Sequence, residues 1–307
     1  MIEEVKRVMP ELFNARKYLE NTCDLHVHTG PDSYFGPDTI KETAVRLLDF
    51  IDAAQQAKEV GMRAIVFKAS QICTIDRAYA ARKVVPDLEA FGTLRARVVN
   101  ATMIEPYLNF KPQLLRIVNL PSCVEEKGQL KILKGTFYSE DEGKVIVKNG
   151  EPVPELYEFL KIIADNDLIL GYQVPRYEGP QTLPLEIVRI AKKVGVEKIH
   201  LVHSEWGHID GKYEWEKKVA EMGAYLEYNL SSILFPVLAQ TFPQLAAIIK
   251  NVGAEHCVLT SDMGQSNNPS PVEGLRILIV NLLQLGISEK EIDLMTRKNP
   301  AYLLGLK

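Results

Sequence analysis

The chain has 307 residues, 46% of them hydrophobic and 25% charged, which is close to globular averages and excludes a disordered or fibrous protein. Its 36 lysines and arginines against 40 aspartates and glutamates leave a formal charge of −4. That balance argues against a nucleic-acid partner, because phosphate binding needs a basic surface. No apolar run approaches the roughly 18 residues of a membrane span, and residues 1–21 lack the apolar core of a secretory signal. Cys23, Cys73, Cys123 and Cys257 form no C-x-x-C pair, so a reduced, cytoplasmic protein without a membrane partner is expected.

In chain order, Val5, Val8, Met9 and Leu12 form an apolar stripe that predicts an N-terminal helix within residues 1–22. The stripe would cover the body of the fold or a second subunit of a homo-oligomer. CDLHVH (23–28) then reads as a short buried strand, and Thr39 with Glu42 as a capping box opening a helix that runs to about Gly61. Further strand-like runs are expected at 63–68, 97–104, 130–138, 168–173, 198–203, 224–229 and 256–262. Gly61, Gly195, Gly223 and Gly253 each follow a helical pattern and precede a strand, where a left-handed cap is wanted. Ser288 and Glu291 repeat the capping box near the C-terminus.

Strand and helix alternate about eight times, which predicts a parallel sheet. A (β/α)8 TIM barrel takes roughly 250 residues and leaves length for insertions. One insertion is visible at 143–152, a β-hairpin turning at Asn149-Gly150. The rival, a doubly wound sheet, calls for a Gly-rich loop after the first strand, and HVHTGPDSYFGPD supplies none. The expectation is one α/β domain, with residues 1–22 as its N-terminal helix and 23–307 as the barrel.

His26 and His28 form an H-x-H pair at the end of the first strand. Residues two apart on a strand share a face, so both imidazoles aim the same way and suit one divalent ion at the C-terminal mouth of a barrel. His203 ends the sixth run and Asp262 the eighth, so three strand ends carry metal-ligating residue types. Alternation puts His203 on the face of Ile199 and Leu201, and so turns His200 toward the helices. His256 falls at the far end of its run, about 20 Å from Asp262. His208 is placed in the loop after the sixth strand.

DLHVHTG, VHSEW, TSDMG and the closing NPAYLLGL (299–306) together resemble the amidohydrolase superfamily of metal-dependent barrel hydrolases. Within it, GMRAIVFKAS and SDMGQ-x-N-N-P are similar to a group of uncharacterised predicted hydrolases. The resemblance implies that His26, His28 and Asp262 bind a metal. It implies that His203 binds the same ion, binds a second one, or holds the attacking water, and that Asp262 is the general base. Zinc suits imidazoles with a carboxylate, and manganese, iron or nickel tolerate the same ligands. The chain departs from the pattern at the fifth strand, where Gly171-Tyr172-Gln173 replaces the usual histidine. The fourth expected strand offers no bridging carboxylate or lysine at its mouth, which favours one metal over two.

Lys68 ends the second strand. It is read as an anchor for an anionic substrate or a developing oxyanion, as a carboxylated metal ligand, or as a lysine reaching solvent. Glu105, Glu227 and Asn229 are weaker candidates for the pocket lining, and Glu227 needs a buried partner. Tyr34, Phe35, Arg176, Tyr177, Glu205 and Trp206 follow strands and would shape specificity for a small-molecule substrate. Three functions are compatible with these residues. They are a metal-dependent hydrolase of an amide, ester or ring carbonyl, a phosphoesterase with an H-x-H site, and a metal-binding barrel without catalysis.

Overall fold

Runs of Val, Ile, Leu and Ala form parallel strands when both faces are covered, one by the barrel interior and one by helices. A computed structural model describes residues 15–32, 46–69, 73–96, 98–121, 123–126, 129–132, 145–148, 151–174, 182–207, 214–234 and 240–307. Strands β1 (Cys23–His28), β2 (Ala64–Lys68), β3 (Glu89–Arg95) and β4 (Leu115–Asn119) come first. A small separate sheet follows, of β5 (Cys123–Glu126), β6 (Gln129–Ile132), β7 (Val145–Lys148) and β8 (Glu151–Pro152). Strands β9 (Ile169–Gln173), β10 (Ile199–Val202), β11 (Ala224–Asn229) and β12 (Cys257–Thr260) complete the main sheet in the order β1-β2-β3-β4-β9-β10-β11-β12. Its neighbours are parallel throughout. The ring closes just beyond β12, where Asp262 N–H donates to His26 O at 3.0 Å and His28 N–H to Met263 O at 2.9 Å. This is a TIM barrel.

Inside the barrel Cys23, Leu25, Ala64, Val66, Phe91, Ile117, Ile169 and Val258 form one buried cluster, joined by Ala301, Leu303 and Leu304 of the helix Asn299–Leu304. That helix plugs the end where the strands begin and leaves the opposite end for chemistry. Asn299 Nδ2 anchors it by donating to Ala254 O at 2.8 Å and Cys257 O at 2.7 Å. The outer faces of the strands pack on the helices through a larger cluster that includes Ile65, Phe67, Leu170, Ile199, Leu201 and Leu226.

Two expected strands are displaced. The third barrel strand is Glu89–Arg95, not 97–104, and the fourth is Leu115–Asn119, not 130–138. Ala101–Met103 is a 3-10 turn and Glu105–Leu108 a short helix. EAFGTLR has weak strand preference because of Glu89 and Gly92, but a Cβ at Gly92 would meet Ile75 N and Thr74 C at 2.6 Å. Close packing of a helix start on the strand therefore decides the assignment, and local preference does not. The hairpin expected at 143–152 is present as β7 and β8, whose turn at Asn149-Gly150 lies outside the described residues.

The helix that precedes β2 begins at Phe50, not near Thr39. Asp49 caps it by accepting from Ile51 N–H at 2.7 Å and Asp52 N–H at 2.9 Å. Thr39 and Glu42 lie outside the described residues, as do Val5, Val8, Met9 and Leu12; Ala15–Leu19 is helical. The Ser288–Glu291 capping box is formed, and Gly61, Gly195, Gly223 and Gly253 all have positive φ. Among the described residues no helix is long and apolar enough to cross a membrane.

Candidate metal centre

The mouth of the barrel is assembled from strand ends, and a β-bulge sets its first member. In the β1–β2 register Asp24 pairs with Ile65 and Val27 with Phe67, so Leu25 and His26 share the space opposite Val66. The extra residue shifts the alternation by one. Leu25 points into the lower core while His26 and His28 both reach the mouth. Gly264 presses on this strand from β12's side: its φ is +125° and a Cβ there would lie 1.8 Å from His28 O. Only glycine permits that approach.

His203 and Asp262 reach the mouth by another device. Both have positive φ, 56° and 49°, a conformation that costs a non-glycine residue of the order of 1–3 kcal/mol. His203 follows β10, whose outer face carries Ile199 and Leu201, so strand alternation alone would turn it toward the helices. The left-handed backbone turns it inward instead.

Four side chains meet there. His26 Nε2 lies 3.2 Å from His28 Nε2, and each is 3.0 Å from Asp262 Oδ1. His203 Nε2 lies 3.6 Å from Asp262 Oδ2. Ligand atoms of His26, His203 and Asp262 all fall within 4.8 Å of one another, close enough for one ion with bonds of about 2 Å to each. His26, His203 and Asp262 are buried, and His28 Nδ1 is buried without a hydrogen-bond partner among the described residues.

Behind these groups stand carboxylates. Glu227 on β11 is fully buried and places Oε1 2.8 Å from His26 Nδ1. An imidazole whose Nδ1–H donates to a carboxylate presents Nε2 to a metal. His200 Nε2 lies 3.2 Å from Glu227 Oε2, without hydrogen-bond alignment. His203 Nδ1 lies 3.4 Å from Glu205 Oε1 and 2.9 Å from Asn229 Nδ2, which also donates to Glu205 Oε1 at 2.9 Å. Ser232 Oγ donates to Glu205, and Ser231 Oγ to Asp262 Oδ2. Asp24, under the mouth, accepts from His26 N–H at 3.0 Å and Ser261 N–H at 3.2 Å, joining the first and last strands.

The charges follow from this packing. Burial favours neutral His26, but the carboxylates of Asp262 and Glu227 outweigh it and lift the imidazole to about 9. Burial holds His28 down at about 3. Burial would raise Asp262, yet His26 and His203 keep its carboxyl well below the usual range. The same contest, with His26 and His200 as partners, keeps Glu227 ionised. Lys68 Nζ lies 3.5 Å from His26 Nδ1, and burial lowers it to about 8 against the pull of Glu227 and Asp262. Asp24, also buried, rises to about 7.

The family model for DUF6282, a family of unknown function, matches residues 21–227, two thirds of the chain. The chain belongs to DUF6282. No curated protein matches it. A lactonase from Listeria monocytogenes is similar at 13% identity and a TM-score of 0.60, over 94% of this chain and 96% of that one. A dihydroxybenzoic acid decarboxylase from Polaromonas with bound manganese aligns at 15% identity and 0.56, over 94% and 97%. An amidohydrolase from Burkholderia multivorans aligns at 12% and 0.58, over 93% and 99%. The structural neighbours are of the amidohydrolase type, and at these identities the likeness is one of fold.

In this DUF6282 barrel the expected ligands His26, His28, His203 and Asp262 come together, with Lys68 and Glu205 against them. Glu227 and Asn229 form the layer behind. Glu105 does not join them: it is exposed on the short helix beyond β3, because the strand ends at Arg95 and not at residue 104. Trp206 is in the 3-10 turn Ser204–Gly207, with its side chain outside the described residues. Arg176, Tyr34, Phe35, Tyr177 and His208 lie outside the described residues.

His200 is a correction. It faces Glu227 inside the barrel and not the helices, since Ile199 and Leu201 take the outer face. His256 is remote from the mouth as expected, its ring 5.6 Å from that of Tyr225. Sequence reasoning missed Arg95, Asn119, Ser231 and Ser232. The first two end strands that were misplaced. The serines follow Asn229 in a short helix, and a boundary drawn at 229 with a polar pair beyond it was the available signal.

Proposed function

We propose that the protein is a metal-dependent hydrolase of a carbonyl substrate, an ester, lactone or amide. The observation that supports it is the convergence of three imidazoles and one carboxylate, from β1, β10 and β12, at a buried point of the barrel mouth. The donor set fits a divalent cation: two imidazole nitrogens aimed at one carboxylate oxygen, with Glu227 behind His26 and close packing around His28. His26, His28, His203 and Asp262 would hold it. Zinc is the proposed metal, and the manganese of the Polaromonas neighbour suits the same ligands. A bound divalent ion supplies an activated water at neutral pH and polarises a substrate carbonyl.

The chain's own residues do the rest. Asp262 stays ionised and accepts the proton of the attacking water on Oδ1 or Oδ2, then returns it to the leaving group. Ser231 donates to the same carboxylate and restrains its rotation. Glu227 fixes the tautomer of His26, and Glu205 with Asn229 orients His203. Lys68, at the neighbouring strand end, faces oxygen charge that develops on the substrate.

Purified protein is analysed for metal and assayed on a panel of lactones, esters, amides and phosphate esters. Turnover of carbonyl substrates that chelation abolishes and metal restores is expected. Hydrolysis of phosphate esters alone would replace this reading with the phosphoesterase. Carbon dioxide release from aromatic acids, without hydrolysis, would point to the decarboxylase chemistry named for three neighbours.

A further inference from the structure

Glu227 is held unevenly. Its Oε1 has two partners on the mouth side, His26 Nδ1 at 2.8 Å and Asn229 Nδ2 at 3.3 Å. Its Oε2 takes no aligned hydrogen bond among the described residues, and the His200 imidazole faces it with Nε2 at 3.2 Å. His200 is buried on β10, in register with Gly171 of β9. The interior below the mouth is otherwise lined by Leu25, Val66, Ile117 and Val258. An aliphatic side chain would suit that layer without desolvating a polar ring. Neither ring nitrogen of His200 has a hydrogen-bond partner among the described residues, and Glu227 is the group that Nε2 meets. The imidazole is therefore placed for that carboxylate.

Burial lowers the His200 imidazole below its ordinary range, so the ring meets Glu227 neutral, with one N–H to give. At 3.2 Å the pair has hydrogen-bond distance and lacks only the angle, which a tilt of the ring supplies. Hydrogen bonds at such sites commonly tighten when the site is loaded. With Oε2 tied to His200, the carboxylate does not swing about its last bond, and Oε1 stays on His26 Nδ1. Without that tie it turns, and His26 is free to carry its proton on Nε2, where it blocks a metal.

We infer that His200 is a positioning residue: it holds Glu227 so that His26 offers a bare Nε2 to the cation. The inference rests on the metal-centre reading. It adds a third member, remote from the ion, to the pair Glu227 and His26.

The test is a double-mutant cycle on the full chain, read as zinc affinity by competition with a chromogenic chelator. His200→Leu should weaken zinc binding by about tenfold, and His200→Gln, which keeps an N–H donor, should restore most of it. In a Glu227→Gln background His200→Leu should change little further, because the two positions act as one. A role in packing alone gives the same loss in both backgrounds, and that result overturns the inference. So does an unchanged affinity in folded His200→Leu. Should His200→Leu not fold, His200→Asn, polar but shorter than the imidazole, replaces it in the cycle. The tautomer of His26 is read without metal, by nitrogen-15 NMR of chelator-stripped protein at about pH 10, where the ring is neutral. Wild type should show the Nδ1–H form and the His200 variant a mixture; the Nδ1–H form in both overturns the inference. A wild type that binds no zinc, yet loses that form when His200 is replaced, would overturn the metal-centre reading alone.

Discussion

Glu227 stands between two histidines: Oε1 lies 2.8 Å from His26 Nδ1 and Oε2 lies 3.2 Å from His200 Nε2. A carboxylate buried this deeply is retained at a cost unless its charge is matched, and here its partner is a metal-ligand candidate. Glu227→Gln should therefore lower metal affinity by about 10- to 100-fold, the usual loss when such an outer partner is removed. Competition with a chromogenic chelator measures it. An unchanged affinity in a folded variant would show that Glu227 only fills space.

Metal affinity should depend on pH through His26. Its Nε2 proton must leave before a metal binds, and the imidazole is lifted to about 9. Each unit of pH gained below that value should raise the apparent affinity about tenfold, with a plateau above about 9. A flat profile between pH 6 and 8 would mean that the flanking carboxylates do not hold a proton there.

Lys68 carries the opposite stability linkage. Its folded pKa, about 8, is below the ordinary lysine value of 10.5, so the folded state binds fewer protons between the two. Stability from this group is therefore lowest below pH 8 and rises as pH climbs from 8 to 10.5. Lys68→Met should raise the melting temperature of metal-free protein at pH 7, and the gain should vanish near pH 10.5. Turnover by the same variant should fall.

Gly171 has no room for a side chain. A Cβ would meet Asn119 Oδ1 at 2.3 Å and Ile117 Cγ2 at 2.9 Å. Gly171→Ala should cost about 1–3 kcal/mol by overpacking, read by denaturant unfolding. Adding Asn119→Ala should return part of the loss, since the two positions share one space. Strict additivity would contradict the packing described.

Six of the eight barrel strands and all four metal-ligand candidates were legible in the sequence. The strands showed because β1, β2, β9, β10, β11 and β12 are short, continuous and apolar. β3 and β4 were hidden because Glu89, Gly92 and Arg116 interrupt theirs, while a more β-branched run at 97–104 competes. That error concealed Arg95 and Asn119 and promoted Glu105. Alternation counted back from His203 gives His200 the wrong aim, because the left-handed backbone of His203 breaks the parity. A period-two argument holds within a strand and fails one residue past its end. The bulge at Leu25–His26 is equally silent in the sequence, though it leaves the H-x-H pair on one face.

His26, His28, His203 and Asp262 are proposed to hold one divalent ion. Elemental analysis of purified wild type and Asp262→Ala, after dialysis against equimolar zinc and manganese, tests it most directly. About one ion per chain in wild type and a large loss in the variant are predicted. Equal metal in both proteins, or none in either, would contradict it.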